Sequence, residues 1–269
     1  MLKQRILTAS VLAIVVVWVV LKLPVAGFSL ALLAVILPAA WEWARLAGLG
    51  GTRDRLLYGG AVLLAIAAFW PLAGRSGFVA GLLIAVVACW CYAVVWMWRY
   101  AGRPDHSDRT MTVAMAGIVV LVAPWVALVA LRGEYGAKYV LFLLLLIWAA
   151  DIGAYFAGRR WGRRKLAPAI SPGKTWEGAL GGGVATLAFS LAGAVVLGVG
   201  DHWPWFAVVC MITMGFSIVG DLFESMMKRQ RGLKDSGSLL PGHGGVLDRV
   251  DSLTAAAPVF LLGLYGMRG

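Results

Sequence analysis

Apolar residues dominate this chain in long unbroken runs, separated by short polar stretches rich in arginine and lysine. A helix needs about 20 residues to cross the hydrocarbon core of a bilayer. Runs near that length fall at 6–21, 28–41, 57–73, 77–97, 111–131, 139–157, 179–199, 204–221 and 252–267. The pattern predicts an all-α, polytopic integral membrane protein with about nine transmembrane helices, the second and the last being short. The first run follows Lys3 and Arg5, as in a signal peptide. Lys22 to Pro24 stands where a small-residue cleavage site would be needed, so a retained span is expected.

Composition agrees with the pattern. The chain is 61% hydrophobic and 14% charged, with a mean hydropathy of +0.84. A soluble domain is roughly 45–50% apolar and about 25% charged. Lipid must therefore be the solvent for most of this surface.

Charge then gives the chain an orientation. With the loops alternating from an inside N-terminus, 19 of the 24 basic residues fall on one side, leaving Lys22, Arg75, Arg132, Lys138 and Arg268 on the other. Cytoplasmic loops carry the excess of lysine and arginine, so the basic side is read as cytoplasmic. The net charge of +11 becomes a collar against the inner leaflet, where each basic residue gains about 1 kcal/mol from anionic lipid. Membrane lipids are thus expected partners. Nucleic acid is excluded, since no soluble basic domain exists to hold it. Cys89, Cys91 and Cys210 fall inside predicted spans without disulfide or zinc spacing.

Polar chemistry is concentrated in the second half. Residues 1–132 read as N-terminal scaffold helices, and 133–269 as a catalytic transmembrane region with cytoplasmic loops at 157–178 and 222–251. At the close of the eighth span Asp221 and Glu224 are three residues apart and share a face if the helix continues. Acids at the end of a lipid-embedded helix are costly and default to function. Lys228, Arg229, Arg231 and Lys234 follow, then Asp235 and Ser236, then the turn Pro241-Gly242-His243-Gly244-Gly245. Such a glycine-rich turn allows close backbone approach and an anion-binding nest. Asp248 and Asp251 lie at the expected start of the last helix. Carboxylates on one face beside phosphate-binding cations describe a Mg²⁺ site serving a phosphorylated substrate. His243 either contacts phosphate or holds the turn.

In the first loop, Asp151 lies within an apolar span and is expected to face a polar cavity. Ser171, Lys174, Thr175 and Glu177 crowd the entry to the seventh span, an anion-friendly position, although Ser171 and Thr175 also suit capping. Gly173-Lys174-Thr175 imitates the end of a P-loop, but Pro168 replaces the required glycine and no strand is expected before it. Gly178, Gly181, Gly182 and Gly183 are expected to permit close helix packing.

The string S-x-x-K-R-x₄-K-D-S-G-x-L-L-P-G-H-G-G-x-L-D-R-x-D covers 27 positions from Ser225 to Asp251. It resembles the signature of the phosphatidate cytidylyltransferase (CDP-diacylglycerol synthase) family. Asp151 with Gly153-Ala154-Tyr155-Phe156, Lys165-Leu166-Ala167-Pro168, and Ser171-Pro172-x-Lys174-Thr175-Trp176-Glu177-Gly178 resemble its upstream pieces. Two positions depart from that pattern: Ile152 replaces a hydroxyl residue and Gly173 a lysine. The resemblance implies transfer of CMP from CTP to phosphatidic acid, giving CDP-diacylglycerol and pyrophosphate in phospholipid biosynthesis. It implies a multi-pass enzyme of the bacterial cytoplasmic (inner) membrane, using Mg²⁺ with or without a second cation; a homodimer stays open, since the 13 tryptophans suit either interface anchors or a dimer contact. Asp221, Asp248 and Asp251 would bind metal. Lys228, Arg229, Lys234, Asp235, His243 and Arg249 would serve the chemistry beside them. Lys174, Ser171, Thr175, Asp151, Ser236, Gly244 and Gly245 would contact substrate. A CDP-alcohol phosphotransferase would need a D-G-x₂-A-R-x₈-G-x₃-D-x₃-D pattern that is absent, and a transporter would leave the acidic glycine loop unexplained.

Overall fold

The computed structural model describes residues 2–100, 109–239 and 244–267. Among them are nine α-helices: α1 (Leu2–Lys22), α2 (Val25–Ala47), α3 (Thr52–Phe69), α4 (Ser76–Arg99), α5 (Thr110–Glu134), α6 (Ala137–Trp161), α7 (Trp176–Leu197), α8 (Trp203–Gln230) and α9 (Leu247–Tyr265). Seven of these, α2 to α8, are long and apolar enough to cross a membrane. α1 contributes a shorter apolar stretch, Ser10–Lys22, and α9 opens on charged residues. The all-α polytopic expectation holds, and among the described residues seven of the expected nine spans are long and apolar enough to cross.

The centre of the bundle is α5, buried from Val120 to Leu131, with α2 and α9 packed beside it. Trp43 of α2 and Phe223 of α8 stack there at 6.2 Å, and Trp90 meets Phe223 edge-on at 5.6 Å. The Trp43 indole N–H donates to Val113 O at 2.8 Å, so even this buried ring keeps its polar atom satisfied. The outward faces of α4, α7 and α8 expose Leu, Val, Ile and Trp. That inversion is expected where lipid replaces water.

Without water to squeeze helices together, van der Waals contact between small residues does much of the packing in lipid. The α6–α7 seam works this way. A Cβ on Gly153 would strike Gly181 O, one on Gly178 would lie 3.0 Å from Ala154 O, and one on Gly182 would lie 3.0 Å from Ala150 O. The close packing expected of Gly178, Gly181 and Gly182 is therefore present, whereas Gly183 meets only Met211 at ordinary contact distance.

Three differences from the hydropathy reading bear on the site. α8 runs nine residues beyond the expected end at 221, to Gln230, because Glu224 and Lys228 continue a helical face as an ion pair. The expected loop at 222–251 is thus helix over 222–230. α2 likewise continues to Ala47, where Gly48 at φ 90° reverses the chain. The expected loop at 157–178 contains a two-stranded antiparallel hairpin, β1 (Lys165–Ala167) with β2 (Ser171–Thr175). Gly173-Lys174-Thr175 therefore lies in a strand, and the absence of a strand expected before it is corrected; the segment is still no phosphate loop.

Candidate active site

Two polar seams meet where α8 ends and α9 begins. Along α8, Asp221, Glu224, Ser225 and Lys228 recur at helical spacing and line one face. Lys228 Nζ lies 2.6 Å from Glu224 Oε2 and 2.6 Å from Asp248 Oδ1, bridging the two helices. Glu224 is only 2% exposed. Its Oε1 makes no hydrogen bond, so this acid depends on the lysine ammonium for compensation. Ser225 Oγ donates to Asp221 Oδ1 at 3.3 Å.

At the start of α9, Asp248 accepts from a ring of donors. Its Oδ2 accepts from Gly245 N at 2.9 Å and Ser236 N at 3.1 Å. A carboxylate in the first turn also complements the helix dipole. Asp251 follows one turn later, its Oδ1 accepting from Ser252 N at 2.7 Å. It lies close enough to Asp221, Lys174 and Lys228 to feel their charges. Gly220 makes this closeness possible: a Cβ there would lie 2.5 Å from the backbone oxygen of Asp251 on the facing helix.

The hairpin brings the third element. Glu177 accepts from Arg163 N at 3.0 Å and Arg164 N at 3.1 Å, and Trp176 N donates to Arg164 O at 2.9 Å. These bonds fold the strands back onto the start of α7. Lys174 on β2 then reaches across to α8, its Nζ 2.6 Å from Asp221 Oδ2. Arg229 adds a long contact from Nε to Ile170 O at 3.4 Å. Thr175 is buried, and its Oγ1 accepts from Gly178 N at 3.1 Å, which is the capping role.

A fourth element comes from the N-terminal half. Glu42 on α2 is 2% exposed, and accepts from Ser236 Oγ at 2.9 Å, Val246 N at 3.0 Å and Leu247 N at 2.8 Å. Nearby, Arg231 donates through Nε to Leu46 O at 2.8 Å and through Nη2 to Ala47 O at 2.6 Å. Its guanidinium thereby satisfies two carbonyls that α2 leaves unpaired at its C-terminus.

The structure thus gathers Asp151, Lys174, Asp221, Lys228, Ser236, Gly245, Asp248 and Asp251 into one neighbourhood, with Asp151 coupled electrostatically to Lys174 and Asp221. Gly244 adopts φ 84° beside Asp248, a conformation that favours glycine. Lys234, Asp235 and Arg249 are exposed around the cluster, and Ser171 sits at the far end of β2. His243, with Pro241 and Gly242, lies outside the described residues.

The pattern defining the cytidylyltransferase family, described by that name, matches residues 3–265. The chain belongs to the cytidylyltransferase family. It is 44% identical over 266 residues to a protein named phosphatidate cytidylyltransferase from Pseudomonas aeruginosa, covering 97% of this chain and 96% of that one. It is 37% identical to one from Haemophilus influenzae, covering 97% of each. It is 34% identical to one from Bacillus subtilis, covering 98% of each.

For a cytidylyltransferase family member, the two departures fall at tolerant places. Ile152 is 58% exposed on α6, and a side chain at Gly173 would meet open space. The sequence reading missed Glu42 entirely and counted Arg231 only as charge. The available signal was a single acid within the apolar run Trp41-Glu42-Trp43, where an unpaired carboxylate is expensive.

Proposed function

We propose that this protein is a Mg²⁺-dependent phosphatidate cytidylyltransferase with its site at the cytoplasmic surface of the bacterial inner membrane. The observation that carries the reading is the meeting of Lys174, Asp221, Lys228 and Asp248 at one end of an apolar bundle. A lipid phosphate and a nucleotide triphosphate can reach such a place from opposite sides, one along the bilayer and one from water. The name shared by its relatives supplies the substrate class.

The donor set suits a hard divalent cation. Asp221, Glu224, Asp248 and Asp251 all offer oxygen ligands, and Lys174 and Lys228 balance only two of the four carboxylates. Among the described residues no three such groups stand close enough to hold an ion as they are placed. Lys228 lies between Glu224 and Asp248, and Lys174 lies against Asp221, where a cation would be attracted. Asp221, Asp248 and Asp251 would hold Mg²⁺, which supplies charge neutralisation for the triphosphate and the departing pyrophosphate.

A phosphatidate oxygen attacks the α-phosphorus of CTP. The new P–O bond joins lipid phosphate to CMP, and the bond to the β-phosphate breaks with its electron pair leaving on pyrophosphate. The nucleophile is already anionic, so positioning and charge stabilisation are the main demands on the protein. Lys174, Lys228, Arg229, Lys234 and Arg249 offer cations for that purpose.

Incubating the purified protein with radiolabelled CTP, phosphatidate and Mg²⁺ in mixed micelles tests the reading. Labelled CDP-diacylglycerol and stoichiometric pyrophosphate are expected. Absence of a labelled lipid product would overturn the assignment.

A further inference from the structure

Glu42 belongs to the half of the chain whose pattern reads as plain spans, yet it grips the signature segment at Ser236 and again at Val246 and Leu247. Its Oε2 accepts from Ser236 Oγ and Leu247 N, and its Oε1 accepts from Val246 N. Burying a carboxylate is costly unless its oxygens are hydrogen-bonded, and here three donors converge on it. Two glycines of the signature make room for that convergence. A Cβ on Gly237 would collide with Glu42 Oε1, and a Cβ on Gly245 would lie 2.6 Å from Glu42 Oε2.

The grip reaches the carboxylate cluster through one residue. Ser236 gives its hydroxyl to Glu42 and its backbone N–H to Asp248, while Gly245 N, next to Val246, also donates to Asp248. Asp248 in turn holds Lys228 at 2.6 Å. We infer that Glu42 is a positioning residue for nucleotidyl transfer, fixing Ser236 and the Val246–Leu247 start of α9 so that Asp248 and Lys228 meet the nucleotide phosphates. This rests on the function proposed above.

The chemistry separates a carboxylate from its closest substitute. All three partners donate, so a glutamine in this place must turn its own N–H₂ toward a donor. Glu42→Gln therefore loses part of the grip while keeping size and burial. Misplacing groups around a reacting phosphate by an ångström costs on the order of 100-fold in rate.

The test uses full-length protein in detergent micelles. Glu42→Gln should lower kcat for CDP-diacylglycerol formation by about 100-fold and leave the KM for phosphatidate within about threefold. The amides of Ser236 and of Gly245 to Leu247 should exchange hydrogen faster than the parent's in mass spectrometry. Ser236→Ala, which keeps both backbone bonds to Glu42, should lower kcat by about 10-fold, and the double variant should lose no more than Glu42→Gln alone. If Glu42→Gln does not fold, Ser236→Ala decides: unchanged kcat overturns the inference. A folded Glu42→Gln with parental kcat overturns it too, whether or not exchange accelerates. A parent without any turnover overturns instead the function on which the inference rests.

Discussion

Lys174 on strand β2 lies 2.6 Å from Asp221 on α8, and this pair ties the two polar segments of the chain into a single site. Both side chains are roughly a quarter exposed, at 26% and 29%. An ion pair with that much solvent contributes little to stability, typically about 0.2–1 kcal/mol. Its value must lie in what it positions.

Lys174→Met should accordingly lower CTP turnover by about 100-fold while shifting the detergent melting temperature by no more than about 2 °C. Parallel activity and thermal-unfolding measurements check this. Parental turnover would remove Lys174 from the site.

Lys228 and Asp248 should behave differently although they touch. Lys228→Met leaves Glu224 buried without its cation, and breaking such a pair typically costs about 3–5 kcal/mol. Asp248→Asn keeps Lys228 on Glu224, and its amide oxygen can still accept from Ser236 N and Gly245 N. The asparagine variant should therefore abolish turnover yet melt well above the methionine variant. An active Asp248→Asn enzyme, or the reverse order of stability, would contradict the arrangement described here.

Gly220 and Gly215 lie on the same helix but face different surroundings. A Cβ at Gly220 would press on Asp251 O, whereas one at Gly215 meets nothing within 4 Å. Gly220→Ala should cost about 1–3 kcal/mol, as overpacking does, and should impair turnover by parting α8 from α9. Gly215→Ala should be neutral or slightly stabilising. Unfolding curves of the two variants compare them directly.

Chelation gives a further check. EDTA should eliminate turnover without unfolding the protein, and added Mg²⁺ should restore it. Asp221→Asn should raise the Mg²⁺ concentration for half-maximal activity by about 10-fold or more. Turnover that persists in EDTA would remove the metal from the mechanism.

The sequence by itself determined the solvent, the helical class and the family. Runs of apolar residues near membrane length leave few other solutions, because every backbone polar group must be satisfied within the chain. Asp221, Asp248 and Asp251 were legible because acids at the margins of apolar runs stand out. The continuation of α8 to Gln230 was less legible, since hydropathy drops where the Glu224–Lys228 face turns polar even though the helix goes on. The hairpin at 165–175 was hidden by its short strands, whose residues alternate too briefly to register.

Tertiary structure alone decided the partners. Glu42 meets Ser236 and Leu247 from about 200 positions away, and Arg231 caps α2 across a similar distance. Periodicity reports which residues avoid water, not which donor a buried carboxylate will find. That choice depends on how helices pack and where glycine lets two backbones approach. The N-terminal spans therefore read as plain scaffold, while the fold makes α2 the wall against which the signature segment is held.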